Sequence, residues 1–155
     1  MNLHPLIVHF PIAFLTLYAV LELISVRRLA RKQYWFYLKA MLIVLGALGA
    51  LTAYLSGNVV SAGLETIPLA LMHERFATAV LGVSTFVALV YISALFGWNK
   101  LQILAWNFLS NRGAMIPLAL VVLILITITG GLGGAMVYGT EFDPFMAPVF
   151  HILGL

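Results

Sequence analysis

Four apolar segments, each long enough to cross a bilayer, constrain this chain more than any other feature of its sequence. They cover about residues 5–26, 35–56, 69–96 and 115–137. A hydrocarbon core of about 30 Å requires roughly 20 apolar residues in a helix, and each segment meets that length. Within a bilayer, only helices and closed barrels satisfy their own backbone polar groups. The sequence therefore predicts an all-α membrane protein, a four-transmembrane-helix up-down bundle forming one membrane domain over residues 1–155.

The composition agrees with a membrane bundle and excludes several kinds of chemistry. Hydrophobic residues make up 63% of the chain and charged residues 8%, whereas ordinary soluble domains contain about 25% charged residues. The chain has no cysteine, which excludes disulfides, thiolate metal sites, iron–sulfur clusters and covalently attached c-type haem. The formal net charge of +3 does not indicate nucleic-acid binding, because the basic residues lie beside the apolar segments, where they set topology.

The basic residues predict the orientation of the bundle. Seven of the eight fall at one end of the predicted spans: Arg27, Arg28, Arg31, Lys32, Lys39, Lys100 and Arg112. By the positive-inside rule this end is cytoplasmic, and both termini lie on the periplasmic side of a bacterial inner membrane. Glu22, near the inner end of the first span, is expected to pair with Arg27 or to extend towards the headgroups.

Two stretches outside the spans are expected to lie at the membrane interface. Residues 97–112 form a loop that carries two tryptophans, which favour the headgroup region. Residues 141–155 contain two prolines and are too short to cross the bilayer, so they are expected to form a short interfacial C-terminal segment.

All four histidines of the chain fall on the predicted outer side: His4, His9, His73 and His151. In an up-down bundle the first and third helices are parallel and diagonal to each other. His9 and His73 each lie about five residues into their helix, roughly 7 Å below the outer mouth. Two diagonal imidazoles at the same depth can hold an iron from opposite sides, so His9 and His73 are the predicted axial ligands of a b-type haem.

The other candidate residues have supporting roles in this hypothesis. His4 and His151 could cap the site, bind propionates or accept a proton from a quinol. A stripe of small residues in the second span ends at Ala53 and Gly57, and it could leave room for a porphyrin, although close helix packing alone also explains such stripes. Each histidine could instead cap a helix or donate to a carbonyl at the headgroup level.

Three motifs give the chain a resemblance to a known family: HPLIVHFPIAF at the start, a histidine opening the third helix, and GGLGGAMVYG near the end. In these features the chain resembles the domain-of-unknown-function 2231 group of predicted bacterial membrane proteins. The resemblance implies a four-span helical bundle, and some relatives are joined to c-type cytochrome domains, which implies electron transfer near the outer face. The motifs fall on these residues: His4, Pro5, His9, Pro11, His73, Gly130, Gly133, Gly134, Val137 and Tyr138.

Two classes of function follow from these observations. The first is an electron-transfer subunit, without catalytic residues of its own, that binds haem b and exchanges electrons between quinone or quinol and a periplasmic-side redox partner. Such a subunit would work among lipid and other membrane or periplasmic redox subunits of an oxidoreductase complex. The alternative is a non-redox scaffold, or a copper- or zinc-binding membrane protein, since Met72, Met136 and Met146 near the same face suit copper.

Overall fold

A computed structural model of the chain describes residues 4–24, 32–60, 67–141 and 143–155. Four helical segments are long and apolar enough to cross a membrane, and they confirm the predicted all-α membrane bundle: His4–Ile24, Gln33–Asn58, Pro68–Phe96 and Arg112–Tyr138. These are the first to fourth spans. The helix of the second span runs on to Val60, and two shorter helices cover Lys100–Ser110 and Ala147–Leu153. The predicted residues Arg27, Arg28 and Arg31 lie outside the described part of the chain.

The spans pack in a ring. Each of the first three packs against the next one along the chain, and the fourth closes the ring by packing against the first. The first and third spans are therefore diagonal, as an up-down bundle requires. The interior is filled by side chains from all four spans, among them Leu15, Ile43, Val87 and Met115, all fully buried.

The first span is interrupted near its beginning. A short helix over His4–Ile7 is separated from the helix His9–Ile24 by Val8. Pro11 has no N–H to donate to the carbonyl four residues earlier, which loosens the helix at this turn. The Pro11 ring is buried, and it packs so closely on the second span that a methyl group on Gly49 would lie 3.1 Å from its nitrogen.

The stretch predicted as an interfacial loop between the third and fourth spans contains the helix Lys100–Ser110. This helix is fixed to the bundle at two points. The Gln102 side chain donates to the Ala94 carbonyl over 3.1 Å, and the Trp106 ring stacks on Phe36 with 4.5 Å between centroids. Its exposed apolar side chains suit a helix lying in the headgroup region.

The C-terminal segment contains the helix Ala147–Leu153, which packs on the fourth span. Met146 and Phe150 are buried in one cluster with Leu132 and Ala135. A methyl group on Gly131 would overlap the Met146 side chain, so this glycine lets the segment lie directly against the span.

Glu22 bonds to the second span and does not extend towards the headgroups, whereas Arg27, its expected partner, lies outside the described residues. Its carboxylate oxygen Oε2 accepts a hydrogen bond from Lys39 Nζ over 2.7 Å and a longer one from the Tyr91 hydroxyl over 3.3 Å. Glu22 shares the buried face of the first span with Leu15 and Tyr18, so its carboxylate enters the bundle and needs a partner there. A carboxylate in hydrocarbon requires a charged or hydrogen-bonding partner from another helix.

The Gly49 contact generates a stability prediction. Gly49→Ala places a methyl group against the Pro11 ring and backbone, which cannot turn away, whereas a methyl group on Gly82 meets no atom within 4 Å. We expect Gly49→Ala to be less stable than Gly82→Ala by about 1–3 kcal/mol. The thermal midpoints of the two variants in detergent, followed by tryptophan fluorescence, measure the difference. Equal midpoints would contradict the close packing of the first two spans.

Candidate functional site

Two histidines lie on the faces of the first and third spans that form the bundle interior. His4 precedes the buried residues Pro11 and Tyr18 at seven-residue steps, and seven residues make almost two helical turns. His73 precedes the buried residues Val80 and Val87 in the same way. The end of the bundle that holds both histidines is named the outer end, after the predicted orientation.

His73 is held by the fourth span. Its Nδ1 lies 3.1 Å from the Thr129 carbonyl oxygen, and because a carbonyl only accepts, Nδ1 carries the proton. A methyl group at position 133 would lie 3.2 Å from the Cε1 atom of the His73 ring. Gly133 therefore provides the space that the imidazole occupies, and the Thr129 carbonyl fixes its tautomer.

His4 is held by the second span in a similar way. Its Nδ1 lies 2.8 Å from the Ser56 hydroxyl oxygen, and that hydroxyl donates to the Ala53 carbonyl over 2.9 Å. With the hydroxyl proton committed to Ala53, the bond from His4 is made by its own Nδ1–H. The imidazole lies against Gly57, where a methyl group would be 3.2 Å from Cε1.

The two histidines, named here the histidine pair, have corresponding surroundings. Each stands near the start of an odd-numbered span, donates from Nδ1 to the following span and lies against a glycine of that span. Both imidazoles lie at the same end of the bundle, His4 bonded to the second span and His73 to the fourth. With Nδ1 protonated, the lone pair of each ring is on Nε2, and an Nδ1–H donor bond of this kind is the usual means of orienting a metal-binding histidine.

His9 lies on a different face of the first span. It is two residues from the buried Pro11, about 200° around the helix, and its ring is exposed. Its Nδ1 lies 2.6 Å from the Pro5 carbonyl oxygen in the short helix at the start of the same span. His4 lies on the face of the first span that carries the buried Pro11 and Tyr18, whereas His9 does not. Ligation by either histidine stays a prediction.

The remaining predicted residues are placed as follows. His151 is exposed on the C-terminal helix. Ala53 and Gly57 do line the histidine pair, but Gly57 makes room for the His4 imidazole and Ala53 contributes its carbonyl. Ser56 and Thr129 were missed by sequence analysis. The signal that would have identified His4 is the seven-residue step from His4 to Pro11 and Tyr18, which fixes the rotation of the helix as well as the depth of the histidine.

The donor set at this end consists of two imidazoles. Among the described residues, no three His, Asp or Glu side chains come together as a set that could hold a metal ion. A zinc site usually needs three or four protein ligands, whereas a bis-histidine haem needs two, because the porphyrin supplies the others. Two imidazoles match the number of protein ligands in a bis-histidine haem and are fewer than a zinc ion usually takes.

Comparison with known proteins identifies the family. The family model described as "Predicted membrane protein (DUF2231)" matches residues 1–142, so the chain belongs to this family, and the resemblance of its sequence motifs is confirmed. No curated protein and no solved structure gave a match.

The contacts of His73 with Thr129 and Gly133 lead to a prediction about the tautomer of its imidazole. At Gly133 the Cβ of a valine would lie 3.2 Å from His73 Cε1, whereas at Gly134 the added Cβ meets no atom within 4 Å. We expect Gly133→Val to shift the side-chain nitrogen signals of His73 away from those of an Nδ1–H imidazole, and Gly134→Val to leave them unchanged. Nitrogen NMR on protein with labelled histidine measures this, with His73→Gln assigning the signals. A wild-type signal of the Nε2–H form would contradict the bond to Thr129.

Proposed function

We propose that this membrane protein is an electron-transfer subunit in which His4 and His73 hold a b-type haem at the outer end of the bundle. The observation that carries the proposal is the placement of the two histidines: they lie at the same end of diagonal spans, each with Nδ1 bonded to a neighbouring span. Bundle cores hold cofactors in this way, on side chains from facing helices.

In this proposal the residues around the two histidines orient the imidazoles and leave room for them. The Thr129 carbonyl and the Ser56 hydroxyl accept the Nδ1 protons, which keeps Nε2 as the ligand atom and makes it more basic. Gly57 and Gly133 allow the rings to lie close to the helix backbones. A bound haem supplies one-electron chemistry, whose potential is set by the axial ligands, their hydrogen bonds and the burial of the group.

The proposed electron donors and acceptors follow from the position of the site. A site at the end of an apolar bundle is within reach of quinone or quinol dissolved in the bilayer and of a redox subunit on the outer surface. The chain has short connections between its spans, so we propose that it works within a larger membrane complex. In this proposal His9 and His151, whose side chains are exposed, lie outside the haem site and are not its ligands.

The haem proposal predicts an absorption spectrum for the wild-type protein and the loss of that spectrum in two histidine variants. Wild-type protein produced with ample haem should show a Soret band and a low-spin reduced α-band. His4→Ala and His73→Ala should each abolish the low-spin spectrum, because each removes one axial ligand. His9→Ala and His151→Ala are the matched controls and should retain it. All variants should still insert, because the apolar spans drive insertion without these side chains.

Each outcome of this experiment has a definite meaning. If His9→Ala loses the low-spin spectrum and His4→Ala keeps it, the ligand is His9, as its depth in the helix predicts. If the wild-type protein shows no Soret band, electron transfer through haem fails as a function. In that case a copper titration tests the alternative, since imidazole and thioether both suit copper.

We propose further that the outer end faces the periplasm of a bacterial inner membrane. Among the described residues, Lys32, Lys39, Lys100 and Arg112 lie at the inner end, and Arg75 lies at the outer end. This asymmetry supports a cytoplasmic inner end.

The orientation is tested by labelling single cysteines in a chain that has none of its own. Phe145→Cys, at a position with 91% of the side chain exposed on the C-terminal segment, should react with an impermeant thiol reagent in intact cells. Trp98→Cys, at a position with 86% exposed beyond the third span, should react only after the cells are opened. The reverse pattern would place the histidine pair on the cytoplasmic side.

A further inference from the structure

One spacing recurs on all four spans and connects the two ends of the bundle interior. Eighteen residues separate the members of each of these pairs: His4 and Glu22, Lys39 and Gly57, His73 and Tyr91, Met115 and Gly133. Eighteen residues make about five helical turns, so the two members of a pair lie on the same face of their helix. The rise over eighteen residues is roughly 27 Å, close to the hydrocarbon thickness of about 30 Å.

The pairs define two layers of the bundle. The outer layer contains His4, Gly57, His73 and Gly133, and its two histidines lie against its two glycines. The inner layer contains Glu22, Lys39, Tyr91 and Met115. Both layers hold one residue of each span, and the interior between them is mainly apolar.

The inner layer joins three spans through one atom. Glu22 Oε2 of the first span accepts from Lys39 Nζ of the second over 2.7 Å and from the Tyr91 hydroxyl of the third over 3.3 Å. Only 5% of Glu22 and 9% of Lys39 is exposed. Tyr18 of the first span packs edge-to-face on Tyr91, with 6.0 Å between ring centroids. The contact between the diagonal first and third spans is therefore polar and aromatic at this level.

A buried ion pair is a costly way to hold helices together, because apolar residues of the same volume often stabilise a protein equally well. What an ion pair adds is a restriction on the orientation of the helices that it joins. Leucine-rich helix faces can rotate and slide past each other with little change in packing, whereas one carboxylate oxygen shared by two donors fits a single rotation and height. In some proteins, buried polar groups of this kind specify the register of helices.

We infer that Glu22, Lys39 and Tyr91 are positioning residues for the histidine pair. They fix the rotation and height of the first span relative to the second and third. The eighteen-residue spacing carries that alignment along the third span to His73. In the first span, the bonds from the Ile12 N–H to the Val8 carbonyl and from the Val8 N–H to the His4 carbonyl carry it across the interruption at Val8. The inference takes these histidines as the proposed site, but its test involves no haem.

The experiment measures the alignment of the outer layer directly. His4→Cys and His73→Cys are introduced together into the cysteine-free chain in liposomes. A short bifunctional thiol reagent cross-links the two cysteines, and the rate of this cross-linking (closure) is followed by mass spectrometry. The same pair is then placed in a chain with Tyr91→Phe, which removes one hydroxyl from the inner layer and keeps the ring. The matched control is Tyr34→Phe, at an exposed position on the second span.

We expect Tyr91→Phe to slow closure several-fold while the thermal midpoint changes little, and Tyr34→Phe to leave the rate unchanged. Glu22→Gln should slow closure further, and the exchanged pair Glu22→Lys with Lys39→Glu should recover part of the rate. A purely structural role would lower the midpoint without changing the rate in protein that is still folded.

Three results would overturn the inference: closure at the wild-type rate in folded Tyr91→Phe, equal slowing by Tyr34→Phe, or no closure in the parent pair. Absence of closure in the parent pair would also show that positions 4 and 73 are not close together, and the proposed function depends on their being close. Absence of haem with a closure rate that still depends on Tyr91 would overturn the proposed function alone.

Discussion

Hydrocarbon offers no hydrogen-bonding partner, and this constraint decides where the polar side chains of the bundle lie. Each polar group within the spans must find its partner in the chain or reach the headgroups. Thr78, Thr127 and Ser84 bond to carbonyls of their own helices. The groups that reach across to another helix are concentrated at the two ends, in the histidine pair and in the Glu22 cluster. Tyr18 is the exception, because its buried hydroxyl makes no hydrogen bond of good geometry with any described residue.

The fold was predictable from the sequence because it depends on a property that is summed over many residues. About 20 consecutive apolar residues specify a span whatever their order, and the observed spans begin and end within a few residues of the predicted ones. The Lys100–Ser110 helix was not predictable on this basis. It packs on residues far away in the sequence, as in the stacking of Trp106 on Phe36 and the edge-to-face contact of Phe108 with Phe86.

The candidate site was predictable in part. The sequence identified the outer end and His73, because depth in the membrane follows from counting residues. Partners across the bundle depend also on helix rotation and on the pairing of antiparallel helices. Counting by depth alone selected His9, which lies about 200° from the buried Pro11. Glu22 was assigned to the nearby Arg27 for the same reason, although its partner Lys39 follows only seventeen residues later on the next span.

The two ends of the bundle differ in what their polar groups can still do. At the inner end, Lys39 balances the charge of Glu22 and the Tyr91 hydroxyl donates to the same carboxylate oxygen, so the charges are compensated within the chain. At the outer end, Nδ1 of each imidazole bonds to a neighbouring span, His4 to Ser56 and His73 to Thr129. An unprotonated Nε2 is a ligand for a metal, whereas a compensated ion pair is not. The same physical rule that buries polar groups in pairs therefore places hydrogen-bonded imidazoles at one end of the bundle and a buried ion pair at the other.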